Sequence, residues 1–178
     1  TEEDEKIDKK FVNTLNRFLG YAYWSETNLE SDLWDVYKET GEGKEKLMQI
    51  ARKAEKNVSL LEDLESNLEK VDLEKAAKSI RIRRTSFGKK SGKQVFGEIM
   101  DTTKFKIKVL EKLNSSADSN LIKNVWNGEN PADFFEVLEK LVNEEKRNLK
   151  ALKELKNVVF PGENLPSSPG LSSKIFKS

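Results

Sequence analysis

Apolar residues recur every three or four positions along most of this chain, and that spacing constrains the fold more than any other feature. The first run, over residues 7–37, forms one helical stripe made of Ile7, Phe11, Leu15, Phe18, Ala22, Leu29, Leu33 and Val36. Gly41-Glu42-Gly43 predicts a turn, and a second stripe follows over residues 44–70. Helices patterned in this way bury their apolar stripes by packing against one another.

Four further helices are predicted downstream. They are a short helix capped by Asp72, a long one over residues 93–113, a short one over residues 118–126, and a long one that starts at Pro131 after the N-cap Asn130. The sequence therefore predicts an all-α fold, an antiparallel helical bundle of four long helices with one or two short ones. Residues 1–157 are assigned to this bundle. Residues 158–178, rich in proline, glycine and serine, are assigned to a tail that is extended or packed on the bundle.

The composition excludes several classes of site. The chain contains no cysteine and no histidine, which excludes disulfides, thiolate chemistry, zinc–thiolate sites and a serine–histidine–aspartate triad. No apolar run approaches the roughly 20 residues that span a bilayer. We therefore expect no catalytic activity and no cofactor. The start of the chain, Thr1-Glu2-Glu3-Asp4, is interpreted as the boundary of a fragment.

The strongest functional feature is residues 75–97, which we call the basic segment. It contains eight basic residues and no acidic one, whereas the whole chain has a net charge of +1. The basic residues are Lys75, Lys78, Arg81, Arg83, Arg84, Lys89, Lys90 and Lys93. Gly88, Ser91 and Gly92 predict that residues 83–92 form a loop. A block of one sign in an oppositely charged chain indicates a contact surface.

Several interpretations of the basic segment remain open. The first interpretation is a solvated face beside a loop. The others are a phosphate-binding site, a protein-docking site, and a kinase site at Arg83-Arg84-Thr85-Ser86. A nucleic acid partner is not expected, because the whole chain is not basic and Phe87 alone interleaves these basic residues as an aromatic. We assign partner binding to Arg81, Arg83, Arg84, Lys89, Lys90 and Lys93. The arginine fork can pair bidentately with a carboxylate in an acidic pocket of a partner protein.

Acidic residues cluster on the first two helices. They are Glu26, Glu30, Asp32, Asp35 and Glu39 on the first, and Glu55, Glu62, Asp63, Glu65, Glu69, Asp72 and Glu74 along the second and just after it. We interpret them mainly as the solvated faces of amphipathic helices. The alternative is an acidic patch that recognises a basic surface on a partner.

Two stretches resemble ferritin-like carboxylate proteins, whose bundles bind metal through Glu and Glu-x-x-His motifs. They are Leu19-Gly20-Tyr21-Ala22-Tyr23-Trp24-Ser25-Glu26, with Glu30 and Tyr37, in the first helix and Asn143-Glu144-Glu145-Lys146-Arg147-Asn148-Leu149 in the last. Glu145-x-x-Asn148 lacks the histidine, and Ala54-x-x-Asn57 lacks both ligands. This resemblance therefore implies a degenerate or absent metal site.

The layout also resembles the C-terminal helical domain of the OspE/F-like leader peptide (Elp/Erp) outer-surface lipoproteins of Lyme-disease spirochaetes. The features that carry the resemblance are lysine-rich helices, frequent asparagine, the absence of cysteine, the opening Asp4-Glu5-Lys6-Ile7-Asp8-Lys9-Lys10-Phe11-Val12 and the segment Tyr23-Trp24-Ser25-Glu26. The resemblance implies an extracellular protein on the bacterial outer surface, attached to the membrane only through a lipid anchor upstream of Thr1. It also implies a host-facing role, since members bind complement components and some block the proteases that initiate the antibody-triggered pathway.

We therefore expect a non-enzymatic surface module that captures a host protein, with a complement initiator serine protease as the expected partner. Arg83 and Arg84 would reach an acidic pocket of the protease, and Lys89, Lys90 and Lys93 would steer the approach. Such capture would inhibit the antibody-triggered pathway and serve immune evasion. The alternatives are a ferritin-like bundle with a degenerate or absent metal site, and an intracellular, cytoplasmic helical adaptor regulated at Ser86.

Overall fold

Six helices account for most of the described chain. The computed structural model describes residues 1–84, 90–163 and 165, with the backbone alone at residues 81–84. The helices are α1 (Glu2–Thr40), α2 (Lys44–Ser66), α3 (Leu73–Arg84), α4 (Gly92–Ser116), α5 (Ser119–Val125) and α6 (Ala132–Val159). The described residues contain no β-strand beyond a single antiparallel bridge between Leu68 and Trp126. The predicted all-α helical bundle is confirmed.

Local sequence signals set the ends of the helices. α1 ends where Gly41 adopts a left-handed φ of 70°, as the predicted turn requires. Asp72 caps α3 as predicted, because its Oδ1 accepts a hydrogen bond from the Lys75 N–H at 3.0 Å. α4 begins with a capping box, in which the side chains of Ser91 and Gln94 each accept a hydrogen bond from the other residue's backbone N–H.

The long helices α1, α2, α4 and α6 form a bundle in which neighbouring helices are antiparallel. α1 packs against α2 and α4, and α6 packs against the same two helices. One apolar cluster joins the N-terminal halves of α1 and α6 to the C-terminal halves of α2 and α4, and a second cluster joins the opposite halves. α1 and α6 therefore run in one direction, and α2 and α4 run in the other.

α2 and α4 lie at opposite corners of the bundle, so the chain between them must cross over. α3 lies in this crossover and packs mainly against α1, where Ala77 is buried beside Tyr21 and Trp24. α1 and α3 approach so closely that a Cβ at Gly20 would lie 2.5 Å from the Cβ of Ala76. α3 is therefore attached to the outside of the four-helix core.

Several predicted boundaries shift in the structure. α2 ends at Ser66 rather than at residue 70, because the chain leaves the helix to pair residue 68 with residue 126. Ile7 was predicted to face inward but is 48% exposed, because α1 extends beyond the core, which begins at Phe11. α6 reaches Val159, so the bundle continues slightly past the predicted boundary at residue 157.

The start of the predicted tail packs on the bundle. Phe160 meets the ring of Phe96 edge-on, with the ring centroids 6.0 Å apart. Leu165 is partly buried against the second apolar cluster. The rest of the tail, residue 164 and residues 166–178, lies outside the described residues.

Candidate functional site

A layer of buried polar side chains separates the two apolar clusters of the bundle. It consists of Ser25 and Glu26 on α1, Asn57 on α2, Lys106 on α4, and Glu145 and Asn148 on α6, and we call it the polar centre. None of these residues is more than 7% exposed. All four long helices contribute to it, at the level where one apolar cluster gives way to the other. Charged groups buried to this extent require partners.

The ammonium group of Lys106 holds the polar centre together. Its Nζ lies 2.5 Å from Glu26 Oε1 and 2.9 Å from Glu145 Oε2, and it donates a hydrogen bond to Ser25 Oγ at 2.9 Å. The contacts with Glu26 and Ser25 are hydrogen bonds, and the contact with Glu145 is an ion pair. Asn57 holds the other oxygen of Glu145, because its Nδ2 donates to Oε1 at 2.8 Å. The contacts join α1, α2, α4 and α6 into one network.

Burial and neighbouring charges set the protonation of the polar centre. Burial raises the pKa of Glu26 well above its ordinary value of 4.5, the Lys106 ammonium opposes this rise, and Glu145 adds to it. Burial alone would lower the pKa of Lys106, but the carboxylates of Glu145 and Glu26 outweigh it and raise the pKa. Lys106 therefore stays charged. A proton on Glu26 removes one negative charge from a centre that is buried away from bulk water.

Asn148 extends the polar centre along α6. It is fully buried and lies one turn from Glu145 on the same face of the helix. Its Nδ2 and Oδ1 have no hydrogen-bond partner within the described part of the chain, and the same holds for Asn57 Oδ1 and Glu26 Oε2. Ordered water or an ion usually completes the hydrogen bonds of such atoms. The polar centre therefore has hydrogen-bonding capacity beyond the contacts of Lys106.

The structure brings together four of the residues named in the ferritin-like resemblance, whereas Glu30, which was also named, is exposed. Glu26, Asn57, Glu145 and Asn148 all belong to the polar centre, but the Nζ of Lys106 occupies the space between the two carboxylates. In the residues that the structure describes, no group of three or more histidine, cysteine, aspartate or glutamate side chains could hold a metal ion. The ammonium provides positive charge at the point where the two carboxylates converge.

Neither Lys106 nor the Ser25 hydroxyl was assigned a role from the sequence, and the interpretation of Glu26 as part of a solvated face was wrong. Glu26 was placed on a solvated acidic face, but it is 3% exposed. The reason is its register, since it lies between Ala22 and Leu29 on the inward stripe of α1 and meets its cation on another helix. The sequence did indicate that Glu26 is buried, because the predicted apolar stripe has no residue in the helical turn that contains Glu26.

The predicted partner-binding residues lie where α3 leads into α4. Arg81, Arg83 and Arg84 belong to the last turns of α3, so the prediction that Arg83 and Arg84 lie in a loop is wrong. Arginine is a good helix former, and the first helix-breaking residue, Gly88, comes only later in the chain. Lys89 lies outside the described residues.

Lys90 and Lys93 form ion pairs within the chain. Lys90 Nζ pairs with Glu98 on α4, and Lys93 Nζ lies 3.1 Å from Glu163, which follows α6. These contacts tie the start of α4 to its own second turn and to the segment after α6. Both lysines therefore have a structural role that is independent of any partner. Ser86, the predicted modification site, lies outside the described residues.

The acidic side chains that surround Tyr23 form a charged surface on α2 and α3. The pKa of the Tyr23 phenol is raised by partial burial and by the carboxylates of Glu62, Glu74 and Glu65. Glu62 and Glu74 are exposed and Glu65 is half-buried. This arrangement agrees with the prediction that most acidic residues lie on solvated helix faces.

Comparison with protein-family models, with curated proteins and with solved structures finds no significant match to this chain. Among the described residues, no helix is both long enough and apolar enough to cross a membrane.

Proposed function

We propose that the protein is a non-enzymatic binding module that docks onto an acidic surface of a partner protein through its basic segment. The observation that carries the proposal is the position of α3, which is attached to the outside of the four-helix core and contains the first part of the basic segment. Lys75 and Lys78 on α3 are exposed, and three arginines follow at its C-terminal end. A positive surface on an otherwise acidic chain attracts acidic partners and repels basic ones.

The backbone of α3 supports a particular mode of capture. Arg83 and Arg84 lie on a helix rather than on an extended strand. Proteases cleave segments that lie extended in the active-site cleft, so arginines on a helix would contact acidic groups without being positioned for cleavage. Their guanidinium forks would pair with carboxylates on the partner's surface.

The partner that we propose is a complement initiator serine protease of a host, and its capture would inhibit the antibody-triggered pathway. The resemblance to spirochaete surface lipoproteins supports this choice, and an acidic pocket or surface on a protease matches the charge of the basic segment. On this proposal the protein acts outside the cell, on the bacterial surface. Lys90 and Lys93 would contribute mainly by holding the start of α4, since each already has a carboxylate partner.

Surface plasmon resonance against a panel of purified human serum proteins, complement proteases included, tests the proposal at physiological salt. We expect saturable binding to one protease. Arg83→Glu combined with Arg84→Glu should weaken that binding by about 2–5 kcal/mol if the arginines are buried in the interface. Lys146→Glu is the matched control, because Lys146 is 55% exposed on α6, away from the basic segment. Unchanged affinity of the double variant would remove the end of α3 from the mechanism, and flat traces would reject the proposed partner.

A second candidate is a ferritin-like bundle with a degenerate metal site. One long crossover between the second and third long helices is an arrangement found in ferritin-like folds, and the polar centre lies at the middle of the bundle. Here Lys106 would act as a structural cation that clamps Glu26 and Glu145. Metal analysis of protein purified from cells supplied with iron and manganese tests this role. Substoichiometric metal is expected, and a full equivalent of either metal would contradict it.

A further inference from the structure

A small pocket opens between α1 and α4 beside the polar centre. Its volume is about 10 Å³, which is the room that one water molecule needs. Its lining residues are Trp24, Ser25, Asn28, Leu29, Asp32, Ile99, Thr102 and Thr103. Ser25, Asn28, Asp32, Thr102 and Thr103 contribute polar groups to a lining that is otherwise apolar, and a buried water needs two to four such partners.

Ser25 belongs both to this pocket and to the polar centre. Its Oγ accepts a hydrogen bond from Lys106 Nζ at 2.9 Å on the inner side, and the residue lines the pocket on the outer side. A hydroxyl group can accept one hydrogen bond while it donates another. The Ser25 hydroxyl can therefore donate toward the pocket while it remains bonded to Lys106.

The outer wall of the pocket reaches the surface of the bundle. Asn28, Asp32 and Thr102 line it and are half-buried, whereas Thr103 is 1% exposed and Ser25 is 7% exposed. The lining thus passes from solvent-accessible polar groups to the buried hydroxyl that touches Lys106. This decrease in solvent exposure along the lining defines a path, one water molecule long, from solvent to the Lys106 ammonium group.

We propose that the pocket binds one water molecule and that this water exchanges protons with the buried Lys106 through Ser25. In each exchange, Lys106 Nζ passes a proton to Ser25 Oγ while the Oγ–H proton passes to the water. The water passes a proton to a base in the solvent, and a proton returns along the same path. Only N–H and O–H bonds break and form, and the charge of Lys106 is restored.

The route gives the polar centre access to solvent protons in the folded state. The charged groups that face Glu26 are Lys106 of α4 and Glu145 of α6, and α2 contributes the uncharged Asn57. Lys106 contacts both carboxyl groups, so the path through Ser25 leads to the ammonium group on which the centre converges. Without it, the protons of the centre could exchange only when the bundle opens.

Exchange of the Lys106 ammonium protons with solvent, followed by ¹⁵N–¹H NMR on the folded protein, tests the proposal. We expect Lys106 to show a smaller protection factor, the intrinsic exchange rate divided by the observed one, than the backbone amides of Ile107 and Leu110, which lie in the core of α4 and exchange only on opening. Thr102→Leu should narrow the pocket without removing a contact of Lys106, and should slow the exchange about tenfold, the factor for one lost hydrogen bond. Thr102→Ser keeps the hydroxyl and should leave the rate unchanged.

Ser25→Ala removes the relaying oxygen and should slow the exchange of Lys106 by a similar factor. If this variant is destabilised, the amides of Ile107 and Leu110 will exchange faster. The effect of Thr102→Leu on Lys106 exchange then serves as the test of the path. A protection factor for Lys106 that matches those of the two amides in every variant would overturn the proposal. A Lys106 rate that neither substitution changes would overturn it as well, because the protons would then travel by another path.

Discussion

The Lys106 ammonium donates hydrogen bonds to Ser25 and Glu26 and forms an ion pair with Glu145 in the polar centre. Taking this charge and the carboxylate of Glu145 out of water costs several kcal/mol, and their attraction at 2.9 Å offsets the cost only in a complete network. The complete network therefore adds little to the free energy of unfolding. Removing one member leaves a buried charge without its partner, and that loss is large. The same ion pair on the surface would contribute little to the free energy of unfolding.

Replacing Lys106 by methionine keeps most of the side-chain length and removes the charge. Glu26 and Glu145 would then converge without a cation, and we expect the free energy of unfolding to fall by about 3–5 kcal/mol. Lys146→Met is the matched control, because Lys146 pairs with Glu111 across the same two helices while 55% exposed. It should change the free energy by about 0.5 kcal/mol or less. Urea unfolding at neutral pH measures both, and equal losses would contradict the role of burial.

Protonation of Glu26 predicts how stability depends on pH. Its pKa is raised above 4.5 in the folded protein by burial, against the opposing charge of Lys106. Above that pH the folded state keeps a proton that the unfolded chain releases. The free energy of unfolding should therefore fall as pH rises from about 4.5 toward the folded pKa, and this contribution is fully present only below the unfolded value.

Glu26→Gln imitates the protonated carboxyl group and should flatten that part of the stability profile. Thermal unfolding from acidic to alkaline pH measures the slope for the parent and the variant. Glu136→Gln, exposed on α6, should keep the parent slope. If Glu26→Gln has the same slope as the parent, the proton resides elsewhere.

Part of the polar centre could be predicted from the sequence. The inward stripe of α1 skips from Ala22 to Leu29, and a gap of this kind predicts that the intervening turn, with Glu26, is buried and polar. The pattern within one helix does not reveal which residue of another helix lies at the same level. Lys106 and Glu26 are 80 residues apart in the chain, and their contact depends on the arrangement of the helices.

At the scale of elements, the position of α3 depends on its contact with α1. A Cβ at Gly20 would lie 2.5 Å from the Cβ of Ala76, much closer than the optimal separation of nonbonded carbon atoms. Alanine is favoured over glycine within a helix by about 1 kcal/mol, and overpacking costs about 1–3 kcal/mol. The cost of overpacking exceeds the gain in helix propensity, so the close packing of α1 against α3 requires glycine at position 20.

Gly20→Ala should therefore lower the free energy of unfolding by about 1 kcal/mol. The double variant Gly20→Ala with Ala76→Gly restores the space and exchanges the two helix propensities, so it should return close to the parent value. Urea unfolding of the parent, the two single variants and the double variant forms a double-mutant cycle. Additive effects would show that the two positions do not contact each other.

The helices themselves were predictable because their apolar period is local, whereas their ends depend on tertiary contacts. Leu68 continues the stripe of α2, which extended the predicted helix past its true end. In the structure Asn127 N–H donates to Asn67 O at 2.8 Å, and Glu69 N–H donates to Val125 O at 3.0 Å. These bonds bind the chain after α2 to the end of α5, and no pattern within α2 predicts them.

For the whole molecule, the polar centre divides the core into two apolar clusters and joins the four long helices at one level. Apolar stripes alone allow several pairings and registers, because any two stripes can pack together. The contacts of Lys106 with Glu26 and Glu145, and of Asn57 with Glu145, form only when the helices occupy their observed corners and heights. The polar centre thus favours a single arrangement at some cost in stability.

A variant in which four members of the polar centre become apolar tests whether the arrangement of the helices and the stability of the fold depend on the same contacts. It carries Glu26→Leu, Asn57→Leu, Lys106→Met and Glu145→Leu together. We expect its free energy of unfolding to be unchanged or higher by about 1–4 kcal/mol, because no charge has to be desolvated. Its ¹H–¹⁵N NMR spectrum should broaden or double, because other helix registers become accessible. Glu26→Gln, which keeps the polar network, should give one sharp set of resonances. A single sharp set from the apolar variant would mean that apolar packing alone specifies the arrangement.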